Sequence, residues 1–108
     1  MRGFKSMYDE ESDSLLVYRE DRKNNASIKF GEIIIDLDKQ MNISSIEILN
    51  PDLLYHIPKS KLSRITEASI QVEARGQVIW IFVVLKFEEN EAPERLPLPL
   101  QLERPISV

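Results

Sequence analysis

The strongest chemical pattern in the sequence is a series of oxygen-bearing side chains spaced like the ligands of an EF-hand calcium loop. With Asp36 as position 1, positions 3, 5, 7 and 12 are occupied by Asp38, Gln40, Asn42 and Glu47. Two features argue against calcium binding. Position 6 of such a loop needs glycine for a sharp turn and here holds Met41, and the flanking segments alternate like strands where an EF-hand has helices. The pattern therefore predicts a hairpin turn and no metal site.

A second group of carboxylates lies in the acidic turn Asp9–Asp13, which could meet Asp36 and Asp38 in a divalent-cation site or an acid–base pair. Asp and Ser side chains also favour turns, because they hydrogen-bond their own backbone. We favour turn formation with surface solvation. The alternative is an enzyme whose carboxylates converge, at least one of them with a strongly perturbed pKa. Its residues would be Asp9, Asp13, Asp36, Asp38 and Glu47.

Other catalytic and cofactor motifs are missing from the sequence. With three glycines the chain cannot build a glycine-rich phosphate loop, and without cysteine it has no disulfide, thiolate nucleophile or Cys-ligated zinc. His56 is the only histidine, and its position after a predicted helix is more typical of a helix end than of a general base. The sequence predicts no catalytic residue, no cofactor and no metal ligand, which favours a non-enzymatic protein.

Composition limits the class of protein. A chain of 108 residues, 43% of them hydrophobic, fits one domain with a core, and the absence of cysteine suits a reducing cytoplasm. A net charge of −4 argues against nucleic-acid binding, and we read the cations Lys59, Lys61 and Arg64 as a solvated helical turn. The longest apolar run, Val78–Leu85, is far shorter than the roughly twenty residues of a membrane span. The start of the sequence shows no apolar signal segment.

The first half predicts a meander of short antiparallel strands. Alternation and turn residues place strands at Phe4–Tyr8, Ser14–Glu20, Ile33–Leu37 and Ile43–Leu49, with a further short strand around Ile28 and Phe30. After this meander, Asn50-Pro51-Asp52 predicts a helix start with Asn50 as the capping side chain. That helix is expected to end near Ile57, and Pro58 to open another turn through Leu62.

The second half predicts a hairpin with two different faces. Strands over Glu67–Ala74 and Gln77–Phe87 flank Arg75-Gly76, which we take as a two-residue loop that sets Val72 opposite Ile79. On this reading Ile79, Ile81 and Val83 join an apolar strand and belong to the core. The opposite face carries Val78, Trp80 and Phe82 beside polar neighbours, so it needs a cover from the N-terminal sheet, the helix or another chain.

The tail alternates leucine and proline in Arg95–Leu102, which suits an edge strand or a polyproline II segment. Either form could be exchanged between subunits. We therefore predict a subunit interface in the second half of the chain. Its residues would be Val78, Trp80, Phe82, Leu96, Leu98, Leu100 and Leu102.

Two motifs in the first half resemble a known family. Tyr8, Asp9, Asp13 and Leu15 form a Tyr-Asp-x-x-x-Asp-x-Leu opening, and an Asp-rich turn leads into the strand Ile46–Leu49. Together they resemble the prokaryotic family called domain of unknown function 2283, over roughly residues 4–50. The resemblance implies a small antiparallel β domain without an established activity, and a binding role like that of an antitoxin. The family usually has glycine where Met41 stands and often where Ser45 stands, so the turn is expected to rely on Asn42 for its positive φ.

Taken together, the sequence predicts an α+β fold that is mainly β, in one domain. A β meander (1–50) is followed by a helical connection (51–65), a hairpin (66–89) and the leucine–proline tail (90–108). The predicted function is a non-enzymatic module that self-associates, with a dimer favoured, or binds a protein partner. An antitoxin-like partner of a small neighbouring protein and a carboxylate enzyme are the alternatives. We expect no nucleic-acid or membrane partner.

Overall fold

Two antiparallel sheets and two short helices make up the computed structural model, which describes residues 3–21, 23–88 and 91–98 and the backbone of 102–103. The first sheet contains β1 (Lys5–Asp9), β2 (Ser14–Tyr18), β3 (Ala26–Phe30), β4 (Ile33–Leu37) and β5 (Ile43–Leu49). The helices are α1 (Pro51–Tyr55) and α2 (Lys59–Leu62). The second sheet contains β6 (Glu67–Arg75), β7 (Val78–Lys86), β8 (Glu94–Pro97) and β9 (Leu102–Glu103). The predicted mainly β, α+β fold is confirmed.

The first sheet has the strand order β1-β2-β5-β4-β3, and every neighbouring pair is antiparallel. The predicted meander is present, and the short segment around Ile28 forms the edge strand β3. Period-2 alternation turns Leu15 and Val17 of β2 and Ile46 and Ile48 of β5 to the same side of the sheet, where all four are fully buried. Sequence alternation was therefore a sound guide to the buried face.

A β-bulge interrupts the pairing of β4 with β5. Asp36 lies opposite Ser45 but Leu37 lies opposite Ile43, so Ser44 is the extra residue. The adjoining turn depends on Met41, whose φ is 65°, and the expectation that Asn42 would supply the positive φ is wrong. Met41 thus adopts the left-handed conformation at the position where the resemblance led us to expect glycine.

The two helices begin and end near the predicted residues, but by a different mechanism. Asn50 has a φ of 54° and makes no side-chain cap; its Nδ2 donates to Glu32 Oε2 at 2.8 Å, which ties α1 to the β3–β4 turn. The prediction of a capping side chain is wrong because this amide is used between elements. Helix α1 ends at Tyr55 because His56 turns left-handed, with a φ of 56°.

The β6–β7 hairpin has the predicted faces with a register shifted by two residues. Arg75 pairs with Val78, so the loop is Gly76-Gln77 and Val72 lies opposite Ile81. The prediction of an Arg75-Gly76 loop is wrong because Gly76, with a φ of 62°, takes the first loop position and not the second. A shift of two residues keeps each side chain on its face, and the division into two faces therefore survives.

The hydrophobic core lies between the two sheets. Leu15, Val17, Ile46 and Ile48 of the first sheet join Ile81, Val83 and Leu85 of β7 in one buried cluster. Leu62 of α2 and Phe87 belong to the same cluster. The packing is that of a two-layer β structure in which each sheet buries one face against the other sheet.

The tail pairs with its own hairpin. Leu96 of β8 lies opposite Val83, and the backbone of β9 pairs with Val78 and Ile79 on the same side of β7. Leu98 donates its backbone N–H to Ile81 O at 2.9 Å and is buried. Residues 94–97 and 102–103 thus lie beside β7 as short strands. Across the part of the chain that is described, no helix has the length and apolarity needed to cross a membrane.

Candidate functional site

The acidic turn between β1 and β2 is organised by hydrogen bonds within the turn. Asp9 Oδ1 accepts the backbone N–H groups of Glu11 at 3.0 Å and Ser12 at 3.3 Å, which is the behaviour of an Asx turn. Tyr8 Oη donates to Asp13 Oδ1 at 2.6 Å, and Asp13 takes a left-handed φ of 51°. The Tyr-Asp-x-x-x-Asp motif thus forms a closed turn, with its two aspartates in different structural roles.

Asp13 also meets a carboxylate that lies far away in the sequence. It is only 6% exposed and hydrogen-bonds to Asp52 at the start of α1. Burial, and then the hydrogen bond with Asp52, raises the pKa of Asp13, whereas the hydrogen bond from Asp13 lowers the pKa of Asp52. The hydrogen bond between Asp13 and Asp52 links the β1–β2 turn to α1. Burial is also the main cause of the raised pKa of Tyr8, which keeps its phenol neutral.

Asp36 and Asp38, the first two acids of the EF-hand-like pattern, are used in structural hydrogen bonds. Asp38 Oδ1 accepts the backbone N–H groups of Gln40 and Asn42, each at 2.9 Å. The carboxylate of Asp36 accepts from Ser27, from Asn24 Nδ2 at 3.1 Å and from Ser45 Oγ at 2.7 Å. These bonds hold the turn and the bulge.

Convergence of the five predicted carboxylates is not observed. Glu47 stands on the outer face of β5, opposite Leu16 and Ile34. Within residues 3–21, 23–88 and 91–98, no group of three or more metal-ligating side chains comes together. In the described part of the chain, the one pair of acids whose pKa values are shifted by each other is Asp13 and Asp52. The sequence prediction did not include Asp52.

Two of the basic residues after α1 are paired with acids of β8 and of the segment between β7 and β8. Lys61 Nζ lies 3.1 Å from Glu94 Oε1 and 4.7 Å from the centre of the Phe87 ring. Arg64 lies 3.9 Å from Glu88, and His56 is exposed at the end of α1. These neighbours support the interpretation of the patch as solvated structural charge.

Aromatic and charged residues are concentrated on the outer face of the second sheet. Two arginines stack on two aromatic rings, and one glutamate joins the arginines. The members of this arginine–aromatic cluster are Glu73, Arg75, Trp80, Phe82 and Arg95. Because Glu73 lies opposite Trp80 and Gln71 opposite Phe82, the cluster spans the paired strands β6 and β7 and reaches Arg95 on β8.

Its geometry combines ion pairs with cation–π contacts. Glu73 Oε1 lies 2.9 Å from Arg75 Nε, and Glu73 Oε2 lies 3.0 Å from an Arg95 nitrogen. The hydrogen bonds from Arg75, and then those from Arg95, lower the pKa of Glu73. The Arg95 guanidinium lies 3.9 Å from the centre of the Phe82 ring, and the Arg75 guanidinium 5.2 Å from Trp80.

This cluster changes the expected cover of the second face. Phe82 is 8% exposed, because Arg95 from β8 lies over its ring. The predicted sources of cover were the N-terminal sheet, the helix or another chain, and a stacked arginine from the tail was not among them. A correct hairpin register would have placed Glu73 opposite Trp80, but the position of Arg95 depends on tail pairing that no local pattern indicates.

The seven predicted interface residues fall into three groups. Val78 and Trp80 are half-buried on the outer face, and Phe82 lies beneath Arg95. Leu96 and Leu98 are buried in the chain's own core, which leaves them unavailable at the surface of a single copy. Leu100 and the side chain of Leu102 lie outside the described part of the chain.

Comparison with known proteins identifies related sequences. The family model described as "Protein of unknown function (DUF2283)" matches residues 5–50, which span the first sheet. "Uncharacterized protein MJ0789" of Methanocaldococcus jannaschii is 33% identical over 81 residues, which cover 75% of this chain and 67% of that protein. No solved structure matches the chain significantly. The resemblance seen in the two motifs is therefore confirmed.

Proposed function

The chain belongs to the DUF2283 family, and we propose that it is a non-enzymatic module that binds another protein chain, first of all a second copy of itself, through its second sheet. The observation that carries this proposal is the arginine–aromatic cluster. Trp, Phe and Arg are the residue types enriched where proteins contact one another, and here they stand together on an outward face.

Preorganisation supports the same proposal. Glu73 holds both guanidinium groups through hydrogen bonds of 2.9 and 3.0 Å, so little side-chain freedom would be lost on binding. Arg75 and Trp80 remain partly accessible, whereas Phe82 forms the buried floor. A partner could pack on Trp80 without having to reorganise the cluster.

Light scattering across a concentration series tests this proposal. Wild-type protein is expected to reach the mass of a dimer, and Trp80→Ala to weaken association about fivefold or more, as expected for an aromatic residue at a contact centre. Phe30→Ala is the matched control, because Phe30 is an aromatic residue 40% exposed on the first sheet. Circular dichroism checks that both variants fold. A wild-type monomer at every concentration, or equal effects of the two substitutions, would contradict the proposal.

A further inference from the structure

An open sheet edge lies beside the arginine–aromatic cluster. Strand β6 pairs with β7 on one side only among the described strands, and it is nine residues long. Lys and Pro, which commonly block sheet edges, do not occur in Glu67–Arg75, and its charged residues stand at positions 67, 73 and 75. Val72, on the inner face near the hairpin tip, is 56% exposed. The strand therefore offers backbone groups and an apolar side chain to a further strand.

A depression of about 650 Å³ lies over the outer face of the hairpin, beside the half of β6 that is nearer the first sheet. Its lining includes Glu67, Ser69 and Gln71 of β6, Val84 of β7 and Phe4. The other half of β6 runs toward the hairpin loop, where Val72, Ala74 and Arg75 are exposed. This exposed half leaves the edge open to a further strand.

Building on the proposed self-association, we propose that the partner at this edge is β6 of a second copy, antiparallel, with the two-fold axis at Gln71. In an antiparallel pair, directly opposite residues point to the same side of the sheet. A two-fold axis perpendicular to the sheet keeps each side chain on its own side, so the axis must pass between one residue and its equivalent in the second copy. Centring on Gln71 uses all nine residues of Glu67–Arg75. Backbone hydrogen bonds then join the second sheets of the two copies into one continuous sheet.

The side chains of β6 match one another in this register. Glu67 of each copy faces Arg75 of the other, which gives opposite charges at both ends of the contact. Ile70 faces Val72 twice on the inner face, where Val72 is exposed in the single chain. A register centred one residue earlier, on Ile70, sets Glu67 against Glu73 and places like charges together. The charge pattern therefore selects Gln71.

The arginine–aromatic cluster supports this contact from behind. Arg75 stacks on Trp80 and bonds Glu73, so its guanidinium is already held near the end of the strand, where the second copy's Glu67 would lie. Trp80 lies on β7 opposite Glu73, behind the free edge of β6. Across that edge, Glu73 would face the small side chain of Ser69 from the second copy. Trp80 is thus a positioning residue for the Arg75–Glu67 pair.

Single cysteines give a direct test because the chain contains no cysteine. Gln71→Cys places two thiols at the two-fold axis, where opposite Cα atoms lie about 4.5–5.5 Å apart, within disulfide range. The matched control Ser69→Cys lies on the same face of the strand. With the axis at Gln71, residue 69 faces residue 73 of the second copy, so the two copies of residue 69 are four residues apart, about 13 Å along the strand. Under mild oxidation we expect a disulfide-linked dimer from Gln71→Cys and a reduced chain from Ser69→Cys.

The outcomes separate the two proposals. If neither variant crosslinks while light scattering still gives a dimer sensitive to Trp80→Ala, the edge contact is wrong and the proposed function stands. If Ser69→Cys crosslinks as readily as Gln71→Cys, the register is wrong. A wild-type monomer without crosslinking overturns both proposals. Crosslinking of Gln71→Cys alone, in a wild-type dimer, supports both.

A charge variant gives a second measurement that does not depend on oxidation. Glu67→Arg sets two arginines against each other at both ends of the contact and should weaken the dimer roughly tenfold at low salt. The effect should shrink at high salt because exposed charges are screened. Glu91→Arg makes the same change of net charge at an exposed residue between β7 and β8 and should leave association unchanged. Equal effects of the two variants would overturn the register.

Discussion

The two sheets use their polar side chains in opposite ways. In the first sheet, Asp9, Asp13, Asp36 and Asp38 accept hydrogen bonds within the turns and the bulge that they stabilise. In the second sheet, Glu73 holds two arginines over aromatic rings on the outside of the molecule. The residues matched by the family model coincide with the first sheet. We infer that the family motifs maintain structure here, and that contacts with other chains use the second sheet.

The edge strands of the two sheets also differ in how well they suit contact with another chain. Strands β1 and β3, at the two edges of the first sheet, have five residues each and include Lys5 and Lys29. Lysine at an edge opposes the addition of another strand because its charge would be desolvated. Strand β6 has nine residues and no lysine. The edge at β6 is therefore suited to pairing, whereas each edge of the first sheet carries a lysine that opposes it.

The largest expected effect on the free energy of unfolding concerns backbone strain in the first sheet. Met41 has a φ of 65° and a side chain that is 68% exposed, so Met41→Gly relieves an unfavourable conformation without loss of packing. We expect the free energy of unfolding to rise by about 1 kcal/mol. Met41→Ala, which removes the side chain but keeps the strain, should not raise it. Urea denaturation followed by Trp80 fluorescence measures both, and an equal gain for alanine would show that strain is not the cause.

The next effect concerns the outer face of the second sheet. Arg95→Lys keeps the charge but loses the planar group that stacks on Phe82 at 3.9 Å. The expected loss in the free energy of unfolding is about 0.5–1 kcal/mol. Arg64→Lys is the matched control, because Arg64 makes an exposed ion pair at 3.9 Å and should change stability very little. If the two substitutions cost the same, the stacking contact contributes nothing.

The sequence predicted the local features of this molecule better than the non-local ones. Alternation in Ile43–Leu49 identified the buried face of β5, since burial of every second side chain is a local property. The hairpin register was wrong by two residues because one glycine fits either of two loop positions. Asp13 meeting Asp52, and Arg95 reaching Phe82, depend on chain segments brought together by the fold. No spacing rule along the sequence indicates such pairs.

The smallest expected effect is a change in pH dependence at the Asp13–Asp52 pair. The raised pKa of Asp13 means that its contribution to stability is complete below the ordinary Asp range and is lost as the pH rises through the folded-state value. An asparagine in place of Asp13 would accept from Tyr8, donate to Asp52 and tolerate the left-handed φ. Asp13→Asn should therefore match wild type in acid and become the more stable protein as the pH rises toward neutral.

Urea denaturation at a series of pH values measures this difference. Asp52, whose pKa is lowered, contributes in the opposite sense: its stabilisation is present above the ordinary Asp range and is lost as the pH falls through the lowered value. Wild type and Asp13→Asn both retain this contribution of Asp52. The difference between their free energies of unfolding therefore reports on Asp13 alone. A difference that stays constant with pH would contradict the raised pKa of Asp13.

Hydrogen exchange of backbone amides at two protein concentrations tests most directly the claim that the second sheet pairs with another copy. Strand β6 and strand β3 are both edge strands, and they serve as test and internal control in one sample. We expect that amides in Glu67–Arg75 exchange more slowly at the higher concentration, whereas those in Ala26–Phe30 do not change. Exchange in Glu67–Arg75 that is the same at both concentrations, although light scattering shows that the dimer fraction rises between them, would contradict this claim.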